Sequence, residues 1–197
     1  MEDFINITLF ASGSGTNAEN IVKYFSNNKL IYINSVFVNN PNAEVIDKMK
    51  KLGKEIVLFD KEIFKSSLLQ ELKKRNTHLI VLAGFLWLVP ENIINEYKGK
   101  IINIHPAILP NYGGKGMYGN KVHEKVLANK EKYSGITIHE VNNEYDKGRI
   151  IFQATCSVFE TDTIESLANR IHTLEYFHFP KVIEAWALSF KLNIKPF

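Results

Sequence analysis

With 197 residues, 45% of them hydrophobic, the chain can bury a full core and is expected to form a single domain over 1–197. A lone cysteine, Cys156, read as a buried thiol, excludes an internal disulfide and any cysteine-based zinc cluster, and a net charge of +3 spread over lysines in solvated runs such as 48–51 and 73–75 gives no reason to expect a nucleic-acid partner, though it favours a small anionic substrate. Met1-Glu2-Asp3 lacks the basic, long-hydrophobic layout of a secretory signal and no apolar run approaches the roughly 20 residues of a membrane span, so a cytoplasmic protein with no membrane association is expected.

Ile5 to Ala11 is a short apolar run rich in β-formers, Ser12 to Asn17 breaks it, and 18–25 resumes with helical spacing: strand, glycine loop, helix. Residues 32–38 read as a second strand, Asn42 is positioned to cap a helix over 43–52, and 55–59 reads as a third strand. A helix over 68–75 follows, then 79–83 (Leu-Ile-Val-Leu-Ala), aliphatic enough for a strand covered on both faces, then Pro90 in the first turn of a helix to Tyr97.

The next strand, Ile101 to His105, is not purely aliphatic. Side chains alternate along a strand, so Asn103 and His105 share the face opposite Ile102 and Ile104, and Pro106 stops the ladder directly after the histidine. Burying an amide and an imidazole there asks for partners, either in a site at the strand's carboxyl end or in a loop that the histidine ties down. Residues 107–120 are glycine-rich and without period, the best candidate for a mobile lid. A helix over 121–128 leads to two strands, 135–141 and 149–158, expected to pair antiparallel around a turn at Asn142 to Gly148. A closing helix over 163–179, capped by Thr161 or Asp162, is expected to bend or restart at Pro180 before Trp186.

Strands alternating with helices predict an α/β fold: a Rossmann-like open, mostly parallel twisted sheet with helices on both faces, an antiparallel strand near the C-terminus, and ligand sites at the carboxyl ends of the strands. The loop Gly13-Ser14-Gly15-Thr16-Asn17-Ala18 fits G-x-G-x-x-[G/A] between strand and helix, where free amides favour an anion, and a tight turn without ligand explains it too. It holds no basic residue, so its amides alone are expected to bind the anion. The second strand ends in Asn39-Asn40 rather than in an acid that would hold a ribose diol, which favours a phosphate monoester over a dinucleotide. Asp146, two residues before Gly148, reads from this segment alone as a turn residue placed for backbone hydrogen bonding, and matters for a site only if it faces His105. His78, His123, His139, His172 and His178 show no metal-ligand spacing and read as structural or exposed, so no metal is expected.

Taken in order, the glycine loop, Leu82-Ala83-Gly84-Phe85, Asn103-Ile104-His105-Pro106 with Leu109-Pro110, and Asp146-x-Gly148 resemble the phosphoribosylglycinamide formyltransferase family from Ile5 to about Trp186. The resemblance implies the formyltransferase fold and transfer of a formyl group from 10-formyltetrahydrofolate, a co-substrate, to the amine of 5'-phosphoribosylglycinamide in purine synthesis, without a metal, by a monomer or homodimer. It implies Asn103, His105 and Asp146 as catalytic residues, with a protonated His105 and the Asn103 amide facing the oxyanion. Gly13, Ser14, Gly15, Thr16, Asn17 and Glu175 would bind the ribonucleotide. Leu86, Trp87, Leu88, Val89, Asn103, Asn142, Asn143, Glu144, Tyr145 and Asp146 would line the folate pocket, and Leu109-Pro110 would be cis. Two departures stand out: Trp87 occupies a position where many members carry arginine, and the glycine-rich 113–120 stretch is longer than the family pattern. A formyltetrahydrofolate hydrolase and methionyl-tRNA formyltransferase share the catalytic segment but add domains not expected within this chain. A non-catalytic nucleotide-binding module would leave Asn103, His105 and Asp146 without a task.

Overall fold

Continuous aliphatic runs become strands buried on both faces: β1 (Ile5–Ala11) and β4 (Leu79–Leu82) are buried along their whole length. The computed structural model describes residues 4–192; the acidic opening at Met1 to Asp3 lies outside the described residues. With β2 (Ile31–Val38), β3 (Glu55–Leu58) and β5 (Ile101–His105) these strands form a parallel array, extended by the antiparallel β6 (Tyr133–Glu140) and β7 (Ile150–Ser157) into a seven-stranded sheet of order β3-β2-β1-β4-β5-β6-β7. The order reverses between β1 and β4, and such a switch opens a crevice beyond the carboxyl ends of the two strands.

Alternation along β1 divides the core. Ile7, Leu9 and Ala11 face one layer, packed by α1 (Thr16–Tyr24), α2 (Val45–Lys51), α6 (Asn120–Ala128) and α7 (Ile164–Lys191), while Phe10 faces the other, packed by α3 (Lys61–Ser66), α4 (Leu68–Lys74) and α5 (Glu91–Glu96). The second layer is an aromatic cluster in which Phe10 stacks on Phe37 at 5.3 Å between ring centroids and meets Phe85 edge-on at 5.2 Å. Burying each such ring contributes roughly 1.5–3 kcal/mol, which fixes the Gly84-Phe85 corner after β4.

Four local expectations are corrected. The short helix α3 escaped the periodicity; its signal is Asp60, whose carboxylate accepts from the amides of Glu62 and Ile63. Asn42 caps nothing: α2 begins after Glu44, and the Asn42 amide donates to Asn40 instead. Pro90 stands one position earlier than expected, as N-cap of α5. Finally, α7 is one continuous helix of 28 residues, capped by Thr163 in a reciprocal pairing with Ser166, and it runs through Pro180. Proline removes the donor owed to the carbonyl four residues back, and Asn20 of α1 supplies the replacement, donating from Nδ2 to the Tyr176 carbonyl at 2.9 Å. Cys156 is half-buried on β7, with burial raising its thiol pKa. No helix among the described residues is long and apolar enough to cross a membrane.

Candidate active site

At the end of β5 the pleat delivers what the alternation implies. Residue 103 pairs with His139 across the β5–β6 ladder, and its Nδ2 donates to His139 Nε2 at 3.1 Å. A neutral imidazole has one donor nitrogen and one acceptor, and His139 Nδ1 lies 2.7 Å from the Glu140 carbonyl, which can only accept. His139 therefore orients the Asn103 amide with its Nε2 lone pair, leaving the second amide hydrogen free for a ligand. His105 is fixed in the same way, its Nε2 donating to the Tyr112 carbonyl at 2.8 Å. Its Nδ1 lies 3.6 Å from Asp146 Oδ2, while Asp146 Oδ1 lies 3.5 Å from His139 Nε2.

Asp146 reaches this position through the turn between β6 and β7. It adopts φ 56°, a left-handed conformation that aspartate tolerates. Gly148 permits the fold-back, because a Cβ there would lie 1.6 Å from the Glu140 carbonyl oxygen. The Asp-x-Gly spacing is thus a turn requirement and a site requirement together. Burial works to raise the Asp146 carboxyl pKa, but the neighbouring His139 and His105 side chains and the Gly114 amide, which donates to Oδ2 at 2.8 Å, outweigh it and hold the group below its ordinary value. For His105, 3% exposed, burial wins: it lowers the imidazole against the opposing pulls of Asp146 and the Tyr112 carbonyl, and His139 lowers it further. The two directions favour a carboxylate at Asp146 beside a His105 ring that gives up its second proton more readily than a free imidazole. The lone pair of Nδ1 faces the carboxylate and stands ready to receive a proton.

The glycine loop joins β1 to α1. Gly15 is the N-cap in left-handed conformation with φ 69°, so the amides of Thr16, Asn17 and Ala18 precede the first intrahelical bond, made by Glu19. A Cβ on Gly15 would lie 2.3 Å from Val45 Cγ2, so the residue is also demanded by close packing of α2. From α2 comes a group the sequence reading missed, Lys48, whose Nζ donates to the Ser14 carbonyl at 2.7 Å. The loop contains no cation, but the fold brings one to it. On the other side, Glu175 of α7 is 5% exposed and accepts from Asn17 Nδ2 at 2.8 Å; burial pushes its carboxyl up to about 7, against the effect of Asn17. Asn17 Oδ1 is buried with no hydrogen-bond partner among the described residues.

One cavity of about 550 Å³ gathers these groups, a volume suited to a small-molecule site. It is lined by Gly13 to Asn17, Leu86 to Val89, Asn103, His105, Asn142, Glu144, Tyr145, Asp146 and Glu175; Asn143 alone of the expected site residues is not part of the wall. Two histidines read as structural or exposed belong to it, His123 and His172, while His139 stands behind the wall against Asn103 and Asp146. His123 is 2% exposed, its Nδ1 has no partner among the described residues, and burial pushes it down to about 4, with His172 and His105 adding to the shift. The packing of α6 on α7 brings these two rings in, as the register of β6 against β5 brings His139 to Asn103, and no local spacing encodes either. Residues 114–120 of the expected lid line the cavity, and the Leu109-Pro110 bond is cis. Among the described residues, no three His, Cys, Asp or Glu side chains are grouped closely enough to hold a metal ion.

Comparison with known proteins agrees with this geometry. The formyl transferase family model matches residues 5–183. A chloroplastic phosphoribosylglycinamide formyltransferase of Arabidopsis thaliana is 35% identical over 187 residues, 91% of this chain; the chain spans 64% of that relative's length. A phosphoribosylglycinamide formyltransferase of Bacillus subtilis is 33% identical over 183 residues, covering 89% of this chain and 91% of the relative. Among solved structures, a phosphoribosylglycinamide formyltransferase from Anaplasma phagocytophilum superposes with a TM-score of 0.86 at 32% identity, over 94% of this chain and 88% of the other. With its α/β sheet, its glycine loop and its Asn103, His105 and Asp146 group, the chain belongs to the formyl transferase family.

Proposed function

We propose that the chain transfers the formyl group of 10-formyltetrahydrofolate to the amine of 5'-phosphoribosylglycinamide, giving phosphoribosyl-N-formylglycinamide and tetrahydrofolate, a step of purine synthesis. The observation that carries this reading is that a single cavity is lined both by the glycine loop and by Asn103, His105 and Asp146, so a phosphate-anchored amine can meet a formyl donor there. The relatives' names supply the acceptor, phosphoribosylglycinamide, and the transfer of a formyl group by similarity.

In this reading the phosphate sits on the free amides of the loop with Lys48 as counter-charge, and Asn17 and Glu175 take the ribose hydroxyls. A carboxyl near neutrality can both donate to and accept from a diol. The folate lies against Leu86, Trp87, Leu88 and Val89 and the turn residues Asn142, Glu144 and Tyr145. Anchoring both substrates far from the reacting atoms lets remote binding energy align them.

The amine nitrogen attacks the formyl carbon and the carbonyl π electrons move onto oxygen. The free N–H of Asn103 donates to that oxyanion; loss of one such donor typically costs about 10²–10³ in kcat. The attacking nitrogen gives up a proton to the space between His105 Nδ1 and the Asp146 carboxylate, making His105 an imidazolium held on both sides. As the tetrahedral intermediate collapses, the bond to the folate nitrogen breaks and that nitrogen takes up the proton. The test is an absorbance assay of folate product with and without the ribonucleotide: turnover that requires it supports the reading, whereas equal turnover in its absence identifies a hydrolase instead.

A further inference from the structure

The segment after Pro110 touches both members of the proton-handling pair. Tyr112 does not line the cavity, yet its carbonyl accepts from His105 Nε2 at 2.8 Å. Two residues on, the Gly114 amide donates to Asp146 Oδ2 at 2.8 Å. Between them Gly113 fits for want of a side chain, since a Cβ there would lie 2.6 Å from Leu109 Cδ2 and 3.2 Å from Asp146 Cβ. Tyr112 itself holds φ 57°, a conformation that costs an aromatic residue energy and persists only if something outside the backbone maintains it. Its hydroxyl supplies the anchor, donating to Glu131 Oε1 at 2.6 Å and accepting from Asn129 Nδ2 at 2.8 Å. Those two residues lie between α6 and β6, so a continuous line of bonds runs from the far side of the loop to the His105 ring.

We infer that Tyr112 is a positioning residue for the transfer: its carbonyl fixes His105 as the Nε2–H tautomer with Nδ1 open toward Asp146, and its hydroxyl, seated between Glu131 and Asn129, holds that carbonyl in place. The chemistry follows from the tautomer. If the carbonyl drifts away, the ring is free to carry its proton on Nδ1 and donate it to the Asp146 carboxylate. The position that must receive the amine proton is then already filled. Such a loss falls on kcat and spares KM, because Tyr112 does not itself line the cavity and meets its wall only at His105.

The inference rests on the proposed activity for its kinetic readout alone, since the ring tautomer is a property of the protein without substrates. The experiment is nitrogen NMR of histidine-labelled protein, with the His105 signals identified by their absence in His105→Asn, alongside steady-state kinetics. In the parent protein His105 should be protonated at Nε2. Tyr112→Phe should move the proton to Nδ1 or mix the tautomers, and lower kcat by about tenfold or more with KM for both substrates nearly unchanged. Glu131→Ala should behave alike, and it carries the same test if Tyr112→Phe fails to fold. Glu131→Gln, which still accepts from the hydroxyl, should restore parental behaviour. An unchanged tautomer and kcat in both Tyr112→Phe and Glu131→Ala would overturn the inference. A tautomer change in a protein that does not formylate the ribonucleotide would keep the positioning role and sink the activity.

Discussion

In the proposed transfer, Asp146 combines a turn role and a proton-handling role in one side chain. As a turn residue alone it could be replaced by asparagine with little effect, because Asn tolerates the same left-handed backbone. Facing His105 at 3.6 Å and His139 at 3.5 Å, it is also the charge that makes a proton on Nδ1 favourable. Asp146→Asn is therefore expected to lower kcat by a factor on the order of 10² or more while the fold and both KM values are largely kept. Adding His105→Asn should cost much less in that background than in the parent, because the two act as a unit; fully additive losses measured in the four-protein cycle would contradict the pairing. Glu175 allows a test that needs no turnover. Its carboxyl, ordinarily near 4.5, is raised to about 7 by burial, so between those values the unfolded chain releases a proton that the folded chain keeps. Folded protein binds more protons there, and stability conferred by this group is present below pH 4.5 and lost as pH rises toward 7. Glu175→Gln should consequently gain melting temperature relative to the parent as pH climbs through that window. A constant difference across it would show that the carboxyl is ionised throughout. The sequence made Asn103, His105 and Asp146 legible through type, order and spacing. It could not reveal His139, whose place beside Asn103 depends on strand register, nor the downward shift of the His105 pKa, which depends on how deeply the fold buries the ring.

Among the elements, the β1–loop–α1 unit was readable because strand period, glycines and helix period change within a few residues. Its partner α2 was read as a helix, but the consequence of its placement was not visible. The Val45 amide donates to the Gly13 carbonyl at 3.1 Å, and one turn later Lys48 reaches Ser14. The proposed anion cradle is thus a joint property of two helices. Because a side chain at Gly15 collides with Val45, substitution there perturbs packing along with binding, and Lys48→Ala is the cleaner probe. It should raise KM for the ribonucleotide by about tenfold at low salt, less at high salt, with the folate KM unchanged. An unaltered ribonucleotide KM would return the anion site to the amides alone. The long helix α7 carries the opposite lesson. Pro180 argued for a break, and no local signal in the sequence says that Asn20, 156 residues distant from Tyr176, would satisfy the carbonyl that the proline leaves without a donor. Helix α3 was missed because six residues are too few to display a period, although Asp60 marks its start.

At the scale of the molecule, alternation of aliphatic runs with amphipathic ones gave the parallel sheet and the right edge for the site, since right-handed crossovers leave few arrangements to choose from. What remained hidden was how the antiparallel pair β6 and β7 closes the sheet beside β5 and folds its connecting turn back over the polar face. That closure converts a Rossmann-like crevice into a site with two histidines and an aspartate around one asparagine. The central claim is that this site moves a formyl group from folate to the ribonucleotide amine. The most direct measurement supplies 10-formyltetrahydrofolate carrying a carbon-13 formyl group together with 5'-phosphoribosylglycinamide, and follows the label by mass spectrometry. The account predicts that the label appears as an N-formyl group on the ribonucleotide, in step with tetrahydrofolate. Label recovered as free formate, with the ribonucleotide unchanged, would contradict it.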